Sequence, residues 1–320
     1  VAEWTPSGTR DVLPDEMQEL RALGERLRTV FDAAGYGEIR TPALENEITF
    51  SRDGGDAGPA YRVFDEHGNV LVLRSDMTVP IARVVGNRYA DARLPLRFWY
   101  EAPAYRAAHP RRGESREFMQ AGIELIGAPA PHGTVEVLNV LCESLTAAGL
   151  TDFKVGIGDV SLYASLLARY GVDERQRVKL SRLLARHDFV AVAEALERMD
   201  LSPADAELLA SVPRIHGGPE ILEADGPLDA ALGDLREVHA ALAPETARRV
   251  IYDLGLVRSI DYYTGVIFQV YDPGHGQPLG GGGRYDNLLA NFGRPLPAVG
   301  FALNVERLHI ALTGEERIDG

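Results

Sequence analysis

The chain has 320 residues, 45% hydrophobic and 25% charged, a globular composition that predicts one large domain plus a smaller one and no long disordered segment. Its 47 acidic against 33 basic residues give a formal net charge of -14, which excludes a general polyanion-binding surface but leaves room for a local basic cleft. A single cysteine, Cys142, excludes an internal disulfide and a zinc site built on several cysteines, so the cytosol is the default compartment.

The stretch from Val1 to Pro6 has neither a basic patch nor an apolar run, and no later segment approaches the roughly 18 apolar residues of a membrane span. Neither secretion nor membrane insertion is expected. Residues 14–34 then put Met17, Leu20, Leu23, Leu27, Val30, Phe31 and Ala34 on one helical stripe, opened by Pro14, Asp15 and Glu16 and closed by Gly35. A short strand is predicted over 38–41, halted by Pro42, followed by a hairpin of residues 61–64 and 70–74 around Glu66-His67-Gly68-Asn69. Residues 96–100 and 118–126 are β-rich runs flanking a polar, arginine-rich stretch over 106–117, which reads as a long hairpin with a charged loop.

Cys142 falls at helical spacing with Leu138, Leu141 and Leu145 after a cap at Thr134, which predicts a core thiol rather than a nucleophile. Residues 160–248 change to helical patterning (160–170, 173–187, 190–198 and 228–242) with no strong strand signal among them. Strand signals return at 250–254 and 266–271. The run Gly280 to Gly283 leads into an expected helix over 285–292, and a last strand and helix follow at 299–303 and 305–312. Strands at both ends of the chain around a block of helices predict an α+β fold, with a core of residues 1–159 and 249–320 and an inserted helical subdomain over 160–248.

The four glycines are not followed by Lys-Ser or Lys-Thr, and no Rossmann fingerprint is present, so these nucleotide-loop types are set aside. The glycines instead predict close backbone approach, or positive φ, beside a ligand floor. Residues 256–265, Leu-Val-Arg-Ser-Ile-Asp-Tyr-Tyr-Thr-Gly, pack Arg258, Asp261, Tyr262 and Tyr263 between apolar runs and cannot form a plain amphipathic strand.

This last segment resembles the histidine-specific motif of histidyl-tRNA synthetases, and the rest of the chain falls into register with that family. Ile39-Arg40-Thr41-Pro42 is similar to class II motif 1, whose proline lies at the dimer interface in the family. Arg97-Phe98-Trp99-Tyr100 through Arg106, with Phe118-Met119-Gln120-Ala121-Gly122-Ile123-Glu124, resembles motif 2. Residues 300–308, Gly-Phe-Ala-Leu-Asn-Val-Glu-Arg-Leu, resemble motif 3. The resemblance implies a class II synthetase-like antiparallel sheet flanked by helices, and a histidine pocket. In it Asp76, Thr78 and Gln120 hold the α-amino group, Arg258 faces the carboxylate, Glu124 and Tyr263 read the imidazole, and Tyr262 stands beside them. That donor and acceptor set matches a zwitterion with two ring nitrogens.

Departures from the synthetase pattern lie on the nucleotide side. Arg106 is followed by Ala107-Ala108 where synthetases carry the adenine-contacting Glu, and Glu114 replaces an Arg of the motif 2 loop, placing negative charge where phosphates would lie. Arg106 and Arg307 match the family's phosphate-contacting arginines, and serve either an anion or ion pairs with nearby carboxylates. Arg74-Ser75-Asp76-Met77-Thr78 replaces the usual Arg-Pro-Glu-Gly-Thr, a change that resembles the regulatory subunit of ATP phosphoribosyltransferase. The chain reaches Gly320 soon after motif 3, and no anticodon-binding domain is expected.

This resemblance implies a non-catalytic role with no catalytic residue, metal or cofactor, a short-form ATP phosphoribosyltransferase catalytic subunit as partner, self-association through the motif 1 region, L-histidine as effector, and no tRNA. A histidine-activating synthetase paralogue and a stand-alone histidine-binding protein are the alternatives.

Overall fold

In the computed structural model, residues 5–51, 60–107, 115–256 and 262–314 are described. The opening stripe forms α1 (Pro14–Ala33), which buries Leu20, Leu23, Leu27, Val30 and Phe31 and stops at Gly35, where φ is 82°. β1 (Gly37–Glu38) is earlier and shorter than the strand expected over 38–41. The Ile39 N–H still donates to the Trp99 carbonyl of the neighbouring strand at 2.9 Å, but further on the carbonyls of Thr41 and Pro42 turn to the guanidinium of Arg74, at 2.8 and 3.2 Å, and Pro42 has no N–H to offer.

β2 (Leu44–Asn46), α2 (Glu47–Ser51), β3 (Arg62–Phe64) and β4 (Val70–Leu73) follow. The expected hairpin gains β2 as a third strand, in the order β2-β4-β3. Asp65 closes its turn by accepting from the backbone N–H groups of His67 and Asn69. After α3 (Thr78–Arg88) come the long strands β5 (Leu96–Tyr105) and β6 (Glu117–Ile126), then α4 (His132–Ala148). Thr134 lies inside the first turn of α4 and does not cap it; its hydroxyl accepts from Arg284 at 3.2 Å. Cys142 is buried, and burial pushes its thiol up to about 11, as suits a core thiol.

β7 (Lys154–Asp159) leads into α5 (Val160–Arg169), α6 (Glu174–Leu184), α7 (Phe189–Glu197) and α8 (Pro203–Ser211). The stretch read as helical segments with no strong strand holds the two-residue β8 (His216–Gly217), which pairs with the strand beyond it. α9 (Gly233–Ala241) begins later than expected because residues 226–228 and 230–232 wind as 3-10 turns. α10 (Pro244–Ala247), β9 (Val250–Asp253), β10 (Val266–Asp272), β11 (His275–Arg284), β12 (Ala298–Asn304) and α11 (Val305–Thr313) complete the order.

The glycine run does not lead into a helix: it lies inside β11, and only a 3-10 turn, Leu288–Phe292, follows. The reason is steric. A Cβ on Gly282 would stand 2.7 Å from the Cα of Phe301 on β12, and one on Gly280 2.8 Å from the Cα of Leu303. The glycines therefore serve close approach in extended backbone, not positive φ.

Nine strands form one sheet in the order β1-β5-β6-β12-β11-β10-β7-β9-β8. The sheet is antiparallel through its centre, but β1 runs parallel to β5 and β7 parallel to β9, so the expected antiparallel sheet is mixed towards its ends. Alternation along the strands separates two faces. Trp99, Ile123, Leu125, Val299, Phe301 and Leu303 join α1 and α4 in one apolar cluster, where the rings of Phe31 and Phe301 stand 5.9 Å apart. On the other face Phe98, Tyr100 and Ile126 meet Met77, Val79 and Ile81 of the α3 region in a second cluster.

Candidate functional site

The second face carries the polar residues singled out from sequence. Strand period two sends Gln120, Gly122 and Glu124 of β6 to the same side, and the register sets Glu124 between Phe98 and Gly300 and Gln120 between Ala102 and Asn304. Gln120 and Glu124 thus stand roughly 13 Å apart along the strand.

Glu124 is 1% exposed. One carboxyl oxygen accepts from the Thr78 hydroxyl at 2.7 Å and the other accepts from the phenol of Tyr285. Burial pushes this carboxyl up to about 8, the Tyr285 and Thr78 donors hold it down, and the charge of Asp76 raises it further. A side chain at position 300 would collide with it: a Cβ on Gly300 would lie 2.7 Å from Cδ of Glu124. The glycine that opens motif 3 is thus the space in which Glu124 sits.

Thr78 begins α3, and Asp76 steadies that helix start by accepting from the N–H of Val79 at 3.1 Å. The charge of Asp76 is also felt by Tyr100 and Tyr262, whose phenols burial already holds well above their usual range. Tyr262 and Tyr263 form the adjoining wall, with ring centroids 4.9 Å apart, and Tyr262 meets Tyr285 edge-on at 5.6 Å. Gln120 is buried, and its Oε1 has no hydrogen-bond partner among the described residues. A buried acceptor of this kind is costly unless a donor reaches it.

Asp76, Thr78, Gln120, Glu124, Tyr262 and Tyr263 are therefore on one side of the sheet, with the Thr78 hydroxyl directed to Glu124. Arg258, Ala108 and Glu114 lie outside the described residues. Arg106 places its guanidinium 4.8 Å over the Phe118 ring, and Arg307 donates to the carbonyl of Pro278 at 2.8 Å. Beside Arg307, Glu306 accepts the N–H of Met119 at 3.0 Å, tying α11 to β6. Among the described residues no group of three or more His, Cys, Asp or Glu side chains is placed to hold a metal, and no helix is long and apolar enough to cross a membrane.

Tyr285 is the site residue that sequence reading missed. Its phenol meets Glu124 across 161 positions of chain, and the only local signal is its place directly after a glycine-rich strand. Chemically, the face offers an acceptor, Gln120 Oε1, at one end and a carboxyl held by two hydroxyls at the other. That combination suits a small molecule bearing an ammonium group and a ring N–H.

Residues 8–308 match the family described as Histidyl-tRNA synthetase. The chain is 43% identical over 317 residues to the ATP phosphoribosyltransferase regulatory subunit of Symbiobacterium thermophilum, covering 96% of this chain and 79% of that one. It is 41% identical over 315 residues to the protein of the same name from Moorella thermoacetica, covering 96% and 81%. The crystal structure of an ATP phosphoribosyltransferase regulatory subunit/histidyl-tRNA synthetase from Bacillus halodurans superposes with a TM-score of 0.89 at 34% identity, covering 98% of this chain and 84% of that one. Sheet, site and matches define a class II synthetase-like α+β protein of histidyl-tRNA synthetase type. Within that class the chain belongs to the family of ATP phosphoribosyltransferase regulatory subunits.

Proposed function

We propose that the chain is the non-catalytic regulatory subunit of an ATP phosphoribosyltransferase in the first step of histidine biosynthesis, acting in the cytoplasm. It supports a short-form catalytic subunit and lets L-histidine inhibit the complex. The observation that carries the histidine site is the pairing, on one face of β6, of the buried Gln120 acceptor with the Glu124 carboxyl held by Thr78 and Tyr285.

Asp76, Thr78 and Gln120 surround the ammonium group, Arg258 meets the carboxylate, Glu124 and Tyr263 take the ring nitrogens, and Tyr262 backs the ring. Charge-assisted bonds of this type contribute about 1.5 to 3 kcal/mol each, and a site left with unpaired polar groups rejects analogues that lack the imidazole. Histidine acts as an effector only if it binds two states of the complex unequally. Self-association runs through the motif 1 region, and residues 160–248 form an insertion in a core of 1–159 and 249–320.

The test is to mix the purified chain with a short-form catalytic subunit and to measure phosphoribosyl transfer with and without histidine. The expected result is a higher rate on mixing, inhibited by histidine, with Glu124→Ala abolishing the inhibition and keeping the activation. An unchanged transfer rate on mixing overturns the partner assignment. Histidine-dependent pyrophosphate exchange by the chain alone would instead support a synthetase-like activity using Arg106 and Arg307.

A further inference from the structure

The chain is acidic overall, yet α6 presents a line of cations. Arg175, Lys179, Arg182 and Arg186 are exposed; the first three lie on α6, where their spacing of 4 and 3 residues keeps them within a narrow sector spread over roughly 10 Å, and Arg186 follows in the turn just past the helix end. The opposite side holds the buried Leu180 and Leu184, so packing fixes which way the line faces. Among the described residues these four enter no ion pair. The acids at the helix start are already engaged: Asp173 accepts from the N–H of Gln176 at 2.8 Å, and Glu174 pairs with Arg177 on another side of the helix.

Two placements go beyond ordinary helix design. Cations in the last turn of a helix complement its dipole, which accounts for Arg182 but not for Arg175, the second residue of the helix, where the dipole opposes a cation. Val178 lies beside the line and is 41% exposed, and a shallow groove runs along Arg175, Val178, Lys179, Arg182, Leu183 and Arg186, with Asp173, Glu174 and Gln176 at its helix-start end.

We propose that this face of α6 is a docking surface for an acidic face of a partner protein, and, resting on the function proposed above, that the partner is the catalytic subunit. Charge complementarity argues for an acidic occupant, since like charges facing each other would oppose docking. A protein is favoured over a nucleic acid because an apolar residue, Val178, is set into the row, and because the net charge of -14 repels an extended polyanion. Charged rows of this type act mainly on the association rate and on its salt dependence.

The experiment measures binding of the full chain to the short-form catalytic subunit by biolayer interferometry at low and moderate salt. It compares the unaltered chain with Arg175→Glu/Lys179→Glu/Arg182→Glu and with Arg175→Lys/Arg182→Lys. The expected result is an affinity that falls with salt, weakens at least about tenfold on charge reversal, chiefly through slower association, and survives the lysine replacements. Histidine binding and the thermal transition of the reversed variant stay unchanged, which separates lost docking from lost folding.

If the unaltered chain binds and the reversed variant binds equally well, this inference is overturned and the proposed function stands. If the unaltered chain forms no complex, both are overturned. A short RNA hairpin serves as the competing probe. Charge-dependent binding of the hairpin, with protein binding unaffected by reversal, assigns the face to a nucleic acid instead and overturns the inference.

Discussion

A carboxyl sealed between two hydroxyls ties the stability of the fold to pH. Glu124 is raised from 4.5 to about 8 in the folded chain, so between those values the folded state holds a proton that the unfolded state has released. Its contribution is fully present below about 4.5 and is lost as pH rises through about 8. Urea unfolding without added histidine should show this loss, on the order of a few kcal/mol, and Glu124→Gln should flatten it. An unaltered pH slope in that variant would show that Glu124 ionises freely. Tyr285→Phe removes a donor that holds the value down, and should extend the window to higher pH. Most of this cluster was legible because the resemblance to the synthetase motifs implied Asp76, Thr78, Gln120 and Glu124 by their motif positions. Tyr285 was not, since its role depends on a contact that no local pattern encodes.

Elements with a strong period were legible as well: α1, β6 and the last strand and helix follow their sequence patterns closely, while β5 runs on to Tyr105, five residues past the expected strand. The failures are elements whose form is set by a neighbour. In the stretch expected as strand up to residue 41 the Thr41 carbonyl goes to Arg74, β8 exists because β9 lies beside it, and the glycine run stays extended because β12 crosses too closely for a Cβ. Gly300 shows the same dependence at the site. Gly300→Ala should push Glu124 out of its position between Thr78 and Tyr285, destabilise the fold by about 1 to 3 kcal/mol as overpacking does, and weaken histidine binding at least about tenfold by calorimetry. Tight binding in a folded Gly300→Ala protein would show that Glu124 is not a ligand contact.

Across the whole molecule, the apolar cluster runs without a break from α1 and α4 into the helices between β7 and β9, through Leu162, Leu166, Leu180, Leu209 and Leu235. The helical block read from sequence as an insertion thus shares its core with the sheet, and Tyr252 of β9 hydrogen-bonds His239 of α9 at 2.8 Å across the join. The intact chain should therefore melt in one transition, by circular dichroism and by the fluorescence of the buried Trp99 alike. Residues 160–248 alone should show no cooperative melt, and a sharp melt of that fragment would mark it as an independent unit.

Arg74 works over a similar range. It is 3% exposed and donates to the carbonyls of Thr41, Pro42 and Pro103, while two residues on its own chain becomes Asp76. A guanidinium is a rigid planar fork, so the motif 1 segment, the end of β5 and the start of the ligand-facing segment are held as one lever with a common fulcrum. A tilt imposed at motif 1 is then felt at Thr78 without any flexible joint between them, and a lysine at position 74, with one freely rotating head group, would leave both ends intact but turn the lever into slack.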